Sequence, residues 1–482
     1  MITSDRMAAI DRNAAALGVP QRVLMESSGN AIAREVRELM APGSAVAFVC
    51  GRGNNGGDGF VAARFLAQYD VSVTLIGRPE TISTDIATAN WEVLESAAFD
   101  PTTVVDSADL DITAPDLIVD ALVGTGITGE LREPLATVVD RLNDLEAPIL
   151  SIDVPSGVDA DTGASTGSAI EADYVITFHD SKPGLAALDL PVTVADIGIP
   201  PAAERFVGPG DLGSHRRDPE SHKGDAGTIL VIGGGPYTGA PALSGLAALR
   251  SGADLSFITC PAAVADRIAG YTPNLIVTSL DGDRIEPEHV PTLLQQAEDA
   301  DAVVIGPGLG DADPTSEAVA SFLSGWNGPC IVDADALAVV REVETAATLV
   351  CTPHAGEFER MGGPPLSPIG ADRESAVIEY ADELGHVFVV KGKHDVISDG
   401  EQVRINRTGN PGMTVGGTGD VLAGVIAALL ARDEYDAISA GAVGAYVTGS
   451  AGDIAAEAQG NGLLATDVIE AIPGAFRGET DE

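Results

Sequence analysis

Residues Ser44–Gly59, SAVAFVCGRGNNGGDG, set a short apolar run (44–50) directly against the glycine-rich loop Gly51-Arg52-Gly53-Asn54-Asn55-Gly56-Gly57-Asp58-Gly59, after which a helix is expected to start near Phe60. An apolar run of that length, bounded by a turn, reads as a buried strand. The loop contains GxGxxG, a pattern that lets backbone N–H groups and a helix N-terminus approach a phosphate closely. A lone match is weak, and a purely structural glycine turn is the alternative. The strand before, the helix after and the two flanking asparagines strengthen the ligand reading. In an ordinary dinucleotide-binding unit the next strand ends on Asp or Glu, which holds a ribose. Here the next strand, Val71–Ile76, runs into Gly77 and Arg78, and Asp58 puts a carboxylate inside the loop instead. That arrangement fits a different pose or chemistry.

The same alternation of strand, glycine turn and amphipathic helix-length segment spreads outward from this point. Leu117–Val119, Ile149–Ile152 and Tyr174–Phe178 continue it. Thr228–Ile232, Ala302–Ile305, Cys330–Val332, Thr348–Cys351, Val387–Val390 and Gln402–Ile405 restart it in the second half. Repeated βαβ units predict an α/β fold with parallel sheets. Between the two halves, Arg205 to Gly227 crowds Pro209, Gly210, Gly213, Arg216, Arg217, Pro219 and Gly224 into a polar stretch that reads as a linker. Two α/β domains are expected, residues 1–212 and 213–482. The sequence shows no short-period repeat, heptad run or low-complexity tract, which removes solenoid and coiled-coil readings.

The composition narrows the partners. With 27 Lys+Arg against 72 Asp+Glu the 482-residue chain carries a formal charge of −45, and no basic run exceeds two residues, so nucleic-acid and acidic-membrane surfaces are excluded as partners. Only 4 of the 27 cations are Lys, and the acids are spread along the whole sequence. That pattern suits the salt-rich cytoplasm of a halophile, where self-repulsion is screened. Cys50, Cys260, Cys330 and Cys351 lie far apart, form no CxxC pair and suit a reducing compartment as buried small hydrophobes. Met1 to Ala9 lacks the apolar core of a signal peptide, and the longest apolar stretch, Val421 to Ala431, is too short to span a bilayer. A cytoplasmic protein acting on small molecules, assembled as a homo-oligomer, is expected. The sequon Asn406-Arg407-Thr408 is read as chance.

Two further loops of the first half follow strands: Asp120-Ala121-Leu122-Val123-Gly124-Thr125-Gly126, and Asp153-Val154-Pro155-Ser156-Gly157-Val158-Asp159. Loops at the carboxyl ends of strands converge on one crevice in an open parallel sheet. Asn55, Asp120 and Ser156 therefore offer an amide, one carboxylate and a hydroxyl to a single hard cation, and so little charge suits a monovalent ion better than a divalent one. Read separately, Asp120 and Asp153 are loop caps. GRGNNGGDG, DALVGTG and DVPSGVD together resemble the N-terminal epimerase domain of NAD(P)HX repair enzymes, a Rossmann-like three-layer sandwich that interconverts the R and S forms of hydrated nicotinamide cofactor. The resemblance covers about residues 1–212. It implies that Asn54, Asn55, Gly56, Gly57 and Asp58, together with Gly124, Thr125, Gly126, Ile127, Thr128, Gly129 and Glu130, bind the hydrate. It also implies that Asn55, Asp120 and Ser156 hold K+ and that Asp153 is a substrate-contacting carboxylate; the place of Asp153 after a strand, three residues before Ser156, makes it the candidate catalytic group, proton-handling or substrate-orienting, with Asp58 next.

In the second half, Thr414-Val415-Gly416-Gly417-Thr418-Gly419-Asp420 precedes the apolar helix expected over Val421–Ala431. Glycines running into a helix start make an anion hole for a transferring phosphoryl group. Asp420, in the first turn, is placed to take a proton from an attacking hydroxyl, with a plain N-cap as the alternative. GxxxxGK[ST] does not occur, which removes P-loop chemistry. Val390-Lys391-Gly392 with Lys393 supplies cations for a diphosphate, and Gly306-Pro307-Gly308-Leu309-Gly310 and Thr352-Pro353-His354-Ala355-Gly356-Glu357 are post-strand loops able to line a pocket. His354 alone is equally a structural histidine.

HKGDAG, GPGLG, DADAL, TPHAGE, KG and GGTGD together resemble the NAD(P)HX dehydratase branch of the ribokinase-like superfamily, from about His222 to Ala471. The resemblance implies that ADP or ATP, with Mg2+, phosphorylates the hydroxyl of the S hydrate of NADHX or NADPHX, and that phosphate then leaves. Lys391, Gly392, Lys393, His394, Asp395 and Gly419 would meet the nucleotide. Gly239, Ala240, Gly308, Gly310, His354 and Asp420 would meet the hydrate, with Asp420 catalytic. Ala355, Asp395 and Thr414 depart from the residues usual in that family, and Asp395 adds negative charge near the phosphates. The alternative is a kinase of the thiazole or hydroxymethylpyrimidine type with a nucleotide-sensing N-terminal domain, which would leave NNGGD, Asp120 and Asp153 without a role.

Overall fold

The computed structural model describes residues 1–112, 115–126, 129–213, 220–432 and 434–478. The chain divides into two units, Met1–Ala203 and Glu204–Glu482. In the first unit, β1 (Ala45–Cys50), β2 (Asp70–Ile76), β3 (Thr102–Val104), β4 (Leu117–Ala121), β5 (Ile149–Ile152), β6 (Tyr174–Phe178) and β7 (Val192–Ala195) form one parallel sheet in the order β3-β2-β1-β4-β5-β6-β7. Alternate residues of each strand face opposite layers. Phe48 and Cys50 enter the core beneath the helices Gln21–Leu39 and Asn54–Arg64, while Val49 enters the core beneath Leu135–Asn143. The result is the three-layer sandwich expected. The strand order reverses between β1 and β4, and a ligand crevice is expected at that switch point.

The second unit contains β8 (Thr228–Ile232), β9 (Leu255–Pro261), β10 (Ile276–Leu280), β11 (Ala302–Ile305), β12 (Cys330–Val332), β13 (Leu349–Cys351), β14 (Val387–Val390), β15 (Asp395–Ser398) and β16 (Val403–Asn406). They run β10-β9-β8-β11-β12-β13-β14-β15-β16, parallel except for the antiparallel β14-β15-β16 edge. The order reverses between β8 and β11. One face packs on the helices Gly239–Arg250, Thr418–Leu430 and Ala437–Gln459, the other on Val290–Ala297, Asp313–Gly325 and Ala371–Leu384. All four cysteines are buried thiols.

Three sequence expectations change. The helix after β1 begins at Asn54, not near Phe60, because Gly53 is extended and caps it. Gly56, Gly57 and Gly59 are thus in-helix packing residues. A Cβ on Gly56 would lie 2.1 Å from the carbonyl oxygen of Gly51, and one on Gly59 2.9 Å from Ala121 Cβ and Cys50 Sγ. The apolar helix expected over Val421–Ala431 spans Thr418–Leu430, which carries Asp420 into its first turn. Part of the expected linker is ordered structure of the second unit. The Val207 amide donates to the Ile405 carbonyl at 3.0 Å, Arg404 pairs with Asp211 at 2.7 Å, and Val207 and Leu212 lie in that unit's core. The units consequently divide at 203/204, where the sequence reading placed the division at 212/213. Residues 214–219 of that stretch lie outside the described residues. Among the described residues no helix is long and apolar enough to cross a membrane.

Candidate functional site

Each unit carries its own site at its switch point. In the first, the Gly51 amide donates to the Ala121 carbonyl at 2.9 Å, and a Cβ on Gly51 would lie 1.8 Å from the Leu122 oxygen. The loops leaving β1 and β4 therefore meet with no side chain between them. Beside them opens a cavity of about 630 Å³ whose wall includes Asn54, Asn55, Asp58, Gly124, Thr125, Gly126 and Asp153. Gly56 and Gly57 are not part of that wall; their amides belong to the helix start that adjoins it. Gly129 lines a separate small cleft, and Glu130 lies against Gly167. Ile127 and Thr128, also expected to bind the hydrate, lie outside the described residues.

Asp120, at the end of β4, is fully buried. Its Oδ1 accepts from Ser156 Oγ at 2.6 Å and the Leu122 amide at 3.2 Å, and its Oδ2 from Ser151 Oγ at 2.8 Å and the Ser156 amide at 2.9 Å. Burial raises its pKa against the pull of these donors, and among the described residues no cationic side chain pairs with it. Ser156 Oγ in turn accepts from the Val123 amide at 3.0 Å. Asn55 is buried, and its Nδ2 has no hydrogen-bond partner. Asp120 and Ser156 thus form one cluster, and Asn55 adjoins its Val123-Gly124 segment, since a Cβ on Gly124 would lie 3.2 Å from Asn55 Oδ1.

Asp153 follows β5 in the left-handed region, φ 69°, which a non-glycine residue adopts only when its surroundings enforce it. Its Oδ1 takes Thr177 Oγ1 at 3.0 Å and Lys182 Nζ at 3.0 Å. Lys182 is 1% exposed and was not among the residues expected at the site. Two further acids complete the wall. Asp58 accepts from Ser28 Oγ and is pushed up to about 8, chiefly by burial, with Asp153 and Asp11 adding to the shift. Asp11, from the helix Ser4–Ala16, is raised to about 6 by burial against the pull of Lys182. Neither Asp11 nor Ser28 has a local motif to announce it.

In the second unit, Gly417 caps the helix Thr418–Leu430 in the left-handed conformation, φ 100°. Asp420 lines a cavity of about 610 Å³ together with Gly239, Ala240, Gly308, Gly417, Tyr237 and Asp335. Burial and the neighbouring Asp333 carboxylate push Asp420 up to about 7, against the pull of Lys391. Lys391 Nζ lies 3.2 Å from Asp333 Oδ1 and 3.9 Å from Glu357 Oε2. Burial pulls its amine down, but these carboxylates more than offset that and leave its pKa above the ordinary value. A Cβ on Gly419 would lie 3.1 Å from the same Nζ, so the GGTGD turn and the Lys391 loop are neighbours.

The remaining expected residues divide. Gly310 is off the cavity wall; its amide donates to Asp335 Oδ2 at 2.7 Å. His354 caps the helix Ala355–Arg360, its Nδ1 accepting from the Gly356 and Glu357 amides at 3.0 and 3.2 Å, while its side chain is 54% exposed. Gly392 and Lys393 are exposed and His394 half-buried. Asp395 is turned into the loop, accepting from the Gly392 amide at 2.9 Å and Asn406 Nδ2 at 3.0 Å, and burial raises its pKa. Asp333 and Asp335 belong to the DADAL motif but were given no role from sequence. Their place after β12, in line with the loops of β8 and β11, is the signal that finds them.

Residues 229–474 match the family described as NAD(P)H-hydrate dehydratase, and residues 21–184 the family described as YjeF-related protein N-terminus. The bifunctional NAD(P)H-hydrate repair enzyme Nnr of Pyrobaculum aerophilum is 44% identical over 494 residues, covering 99% of this chain and 98% of that protein. The enzyme of the same name from Methanothermobacter thermautotrophicus is 42% identical over 489 residues, covering 97% and 93%. Among solved structures, a ribokinase-like superfamily protein of Enterococcus faecalis V583 matches with a TM-score of 0.50 and 27% identity, covering 57% of this chain and 95% of that one. Matched along nearly its whole length, the chain belongs to the family of bifunctional NAD(P)H-hydrate repair enzymes.

Proposed function

We propose that the first unit interconverts the R and S epimers of hydrated NADH and NADPH, and that the second dehydrates the S epimer at the expense of ADP or ATP. The observation that carries this reading is that each unit places an aspartate at the wall of its own cavity within the field of a lysine, Asp153 with the buried Lys182 and Asp420 with the half-buried Lys391. A dehydratase uses only the epimer its pocket fits, so an epimerase on the same chain makes both repairable.

In the second unit Asp420 accepts the hydroxyl proton as that oxygen bonds to phosphorus and the nucleotide's bridging oxygen departs. A carboxyl titrating at about 7 is suited to that exchange near neutral pH. Lys391, held by Asp333, and the amides of the GGTGD helix start face the transferring phosphoryl charge. Phosphate then leaves with the C–O electron pair, and the adjacent ring carbon releases a proton to restore the double bond. Mg2+ bound to the nucleotide would spread the diphosphate charge. Among the described residues no group of three His, Cys, Asp or Glu side chains gathers as a cage for a divalent metal, in keeping with Mg2+ arriving on the nucleotide.

In the first unit Asp153 takes the proton of the carbinolamine hydroxyl as the C–N bond breaks with its electron pair going to the ring nitrogen, and returns it to the oxygen when the nitrogen re-attacks the resulting aldehyde on its other face. The buried carboxylate of Asp120, the Ser156 oxygens and Asn55 Oδ1 suit a hard monovalent cation such as K+, which would compensate the Asp120 charge. The acidic, lysine-poor composition supports a salt-rich, reducing cell interior as the working medium. Separated R and S epimers of NADHX, incubated with ADP and with ATP, test the whole reading. The S epimer should yield NADH only with a nucleotide, and the R epimer should do so through S. An S epimer that persists with both nucleotides refutes it.

A further inference from the structure

Lys182 makes three polar contacts from a site that is almost completely enclosed: the Phe178 carbonyl at 3.0 Å, the Asp180 carbonyl at 3.3 Å and Asp153 Oδ1 at 3.0 Å. An ammonium has three N–H donors and no acceptor, so these three oxygens use all of them. The amine therefore has no donor left for a ligand. Asp153 Oδ1 is occupied twice over, by Lys182 and by Thr177 Oγ1 at 3.0 Å. Its Oδ2 lies on the other side, where a Cβ on Gly124 would come within 3.4 Å of it and within 3.2 Å of Asn55 Oδ1. The glycine leaves that space open to the cavity, and the partnerless Asn55 Nδ2 belongs to the same corner.

We propose that Lys182 is a positioning residue of the epimerase site: it locks Oδ1 of Asp153 into the protein so that Oδ2 alone faces the substrate hydroxyl, beside the Asn55 amide. The left-handed backbone at Asp153 agrees with this, since a strained residue persists only where its surroundings over-determine it. The other charged groups facing Asp153 are Asp11, from Ser4–Ala16, and Asp58, from Asn54–Arg64. Both are acids, so among the described residues Lys182 is the cation in contact with Asp153. The proposal rests on Asp153 serving the epimerase, and its test separates the two claims.

The measurement is steady-state conversion of R-NADHX to S-NADHX by the full chain, with amide hydrogen exchange of the β1, β4 and β5 strands in the same sample reporting that the first unit is folded. Lys182→Met should lower kcat for epimerisation by about 10²-fold, the order expected when a reacting group is misplaced by an ångström, with KM little changed. Lys182→Arg should recover part of the loss. Thr177→Val, which removes the other donor to Oδ1 at constant shape, should lower kcat in the same sense but less, and it keeps the test available if the lysine variants do not fold. An unchanged kcat in Lys182→Met, or in Thr177→Val where the lysine variants are unfolded, overturns the proposal, as does a rise in KM in place of the fall in kcat. Asp153→Asn with full epimerase activity would instead overturn the assignment of Asp153, whatever the lysine variants do.

Discussion

Of four lysines in a chain with 72 acids, two pair with an aspartate that follows a strand: the buried Lys182 with Asp153 after β5, and the half-buried Lys391 with Asp333 after β12. A compact ammonium, with its three donors on a narrow stem, fills such a slot more readily than the broad guanidinium of Arg. The rarity of lysine was therefore a readable signal, but its meaning was not. The partners lie 29 and 58 residues apart along the chain, and only the sheet order brings them together. Asp58, Asp153 and Asp420 could be picked out because each sits in a glycine-bearing motif; Asp11 and Lys182 could not. Asp420→Asn should cut nucleotide-dependent dehydration by about 10² to 10⁴-fold and leave epimerisation intact. The pH dependence follows from the same carboxyl. It must be ionised to take a proton and titrates at about 7, so the dehydration rate should fall as pH drops through that value. A rate that stays flat down to about pH 5 removes Asp420 as the base.

At the scale of elements, the strands of the two sheet centres were readable because both faces are buried, and burial on both sides writes a continuous apolar run. Those unread are of another kind. β3 is three residues long, β7 and β10 carry mostly uncovered side chains, and β15 opens on Asp395 inside a stretch that had been read as a nucleotide loop. β9, LSFITCP, is mostly buried and had the signal; the proline that closes it masked its end. The glycines of NNGGDG misled in the opposite sense, because glycine marks both flexible loops and close approaches of backbone. Here the second use holds at Gly56, whose added Cβ would meet the Gly51 carbonyl at 2.1 Å, an atom that cannot move without shifting the end of β1. Gly56→Ala should therefore destabilise the first unit by about 1–3 kcal/mol and depress epimerase activity more than dehydratase activity, as read by urea unfolding and the two assays. Wild-type stability in this variant would return the segment to a flexible loop.

For the whole molecule, two electrostatic effects oppose the folded state as pH rises, and they can be separated. The first is self-repulsion at a net charge of −45, which mobile ions screen: melting temperature should climb from low salt to molar KCl and climb similarly in NaCl. A further gain specific to K+, lost in Asp120→Ala, would belong to the cation site. The second effect persists at molar salt because it arises inside the protein. Asp58, Asp11 and Asp420 titrate at about 8, 6 and 7 in the folded state, all raised by burial from 3.8. A carboxyl with a raised folded pKa binds its proton more tightly in the native state than in the unfolded chain, so its contribution is complete below the unfolded value and is lost as pH rises through the folded one. At constant molar KCl, melting temperature should therefore decline between about pH 4 and about pH 8, the reverse of ordinary acid denaturation. Asp58→Asn, which cannot ionise, should remove the part of that decline nearest pH 8. Thermal scans of both proteins across that range decide it: a wild-type melting temperature that is flat or rises with pH means the three carboxyls are ionised and solvated, and the enclosed acid cluster does not form.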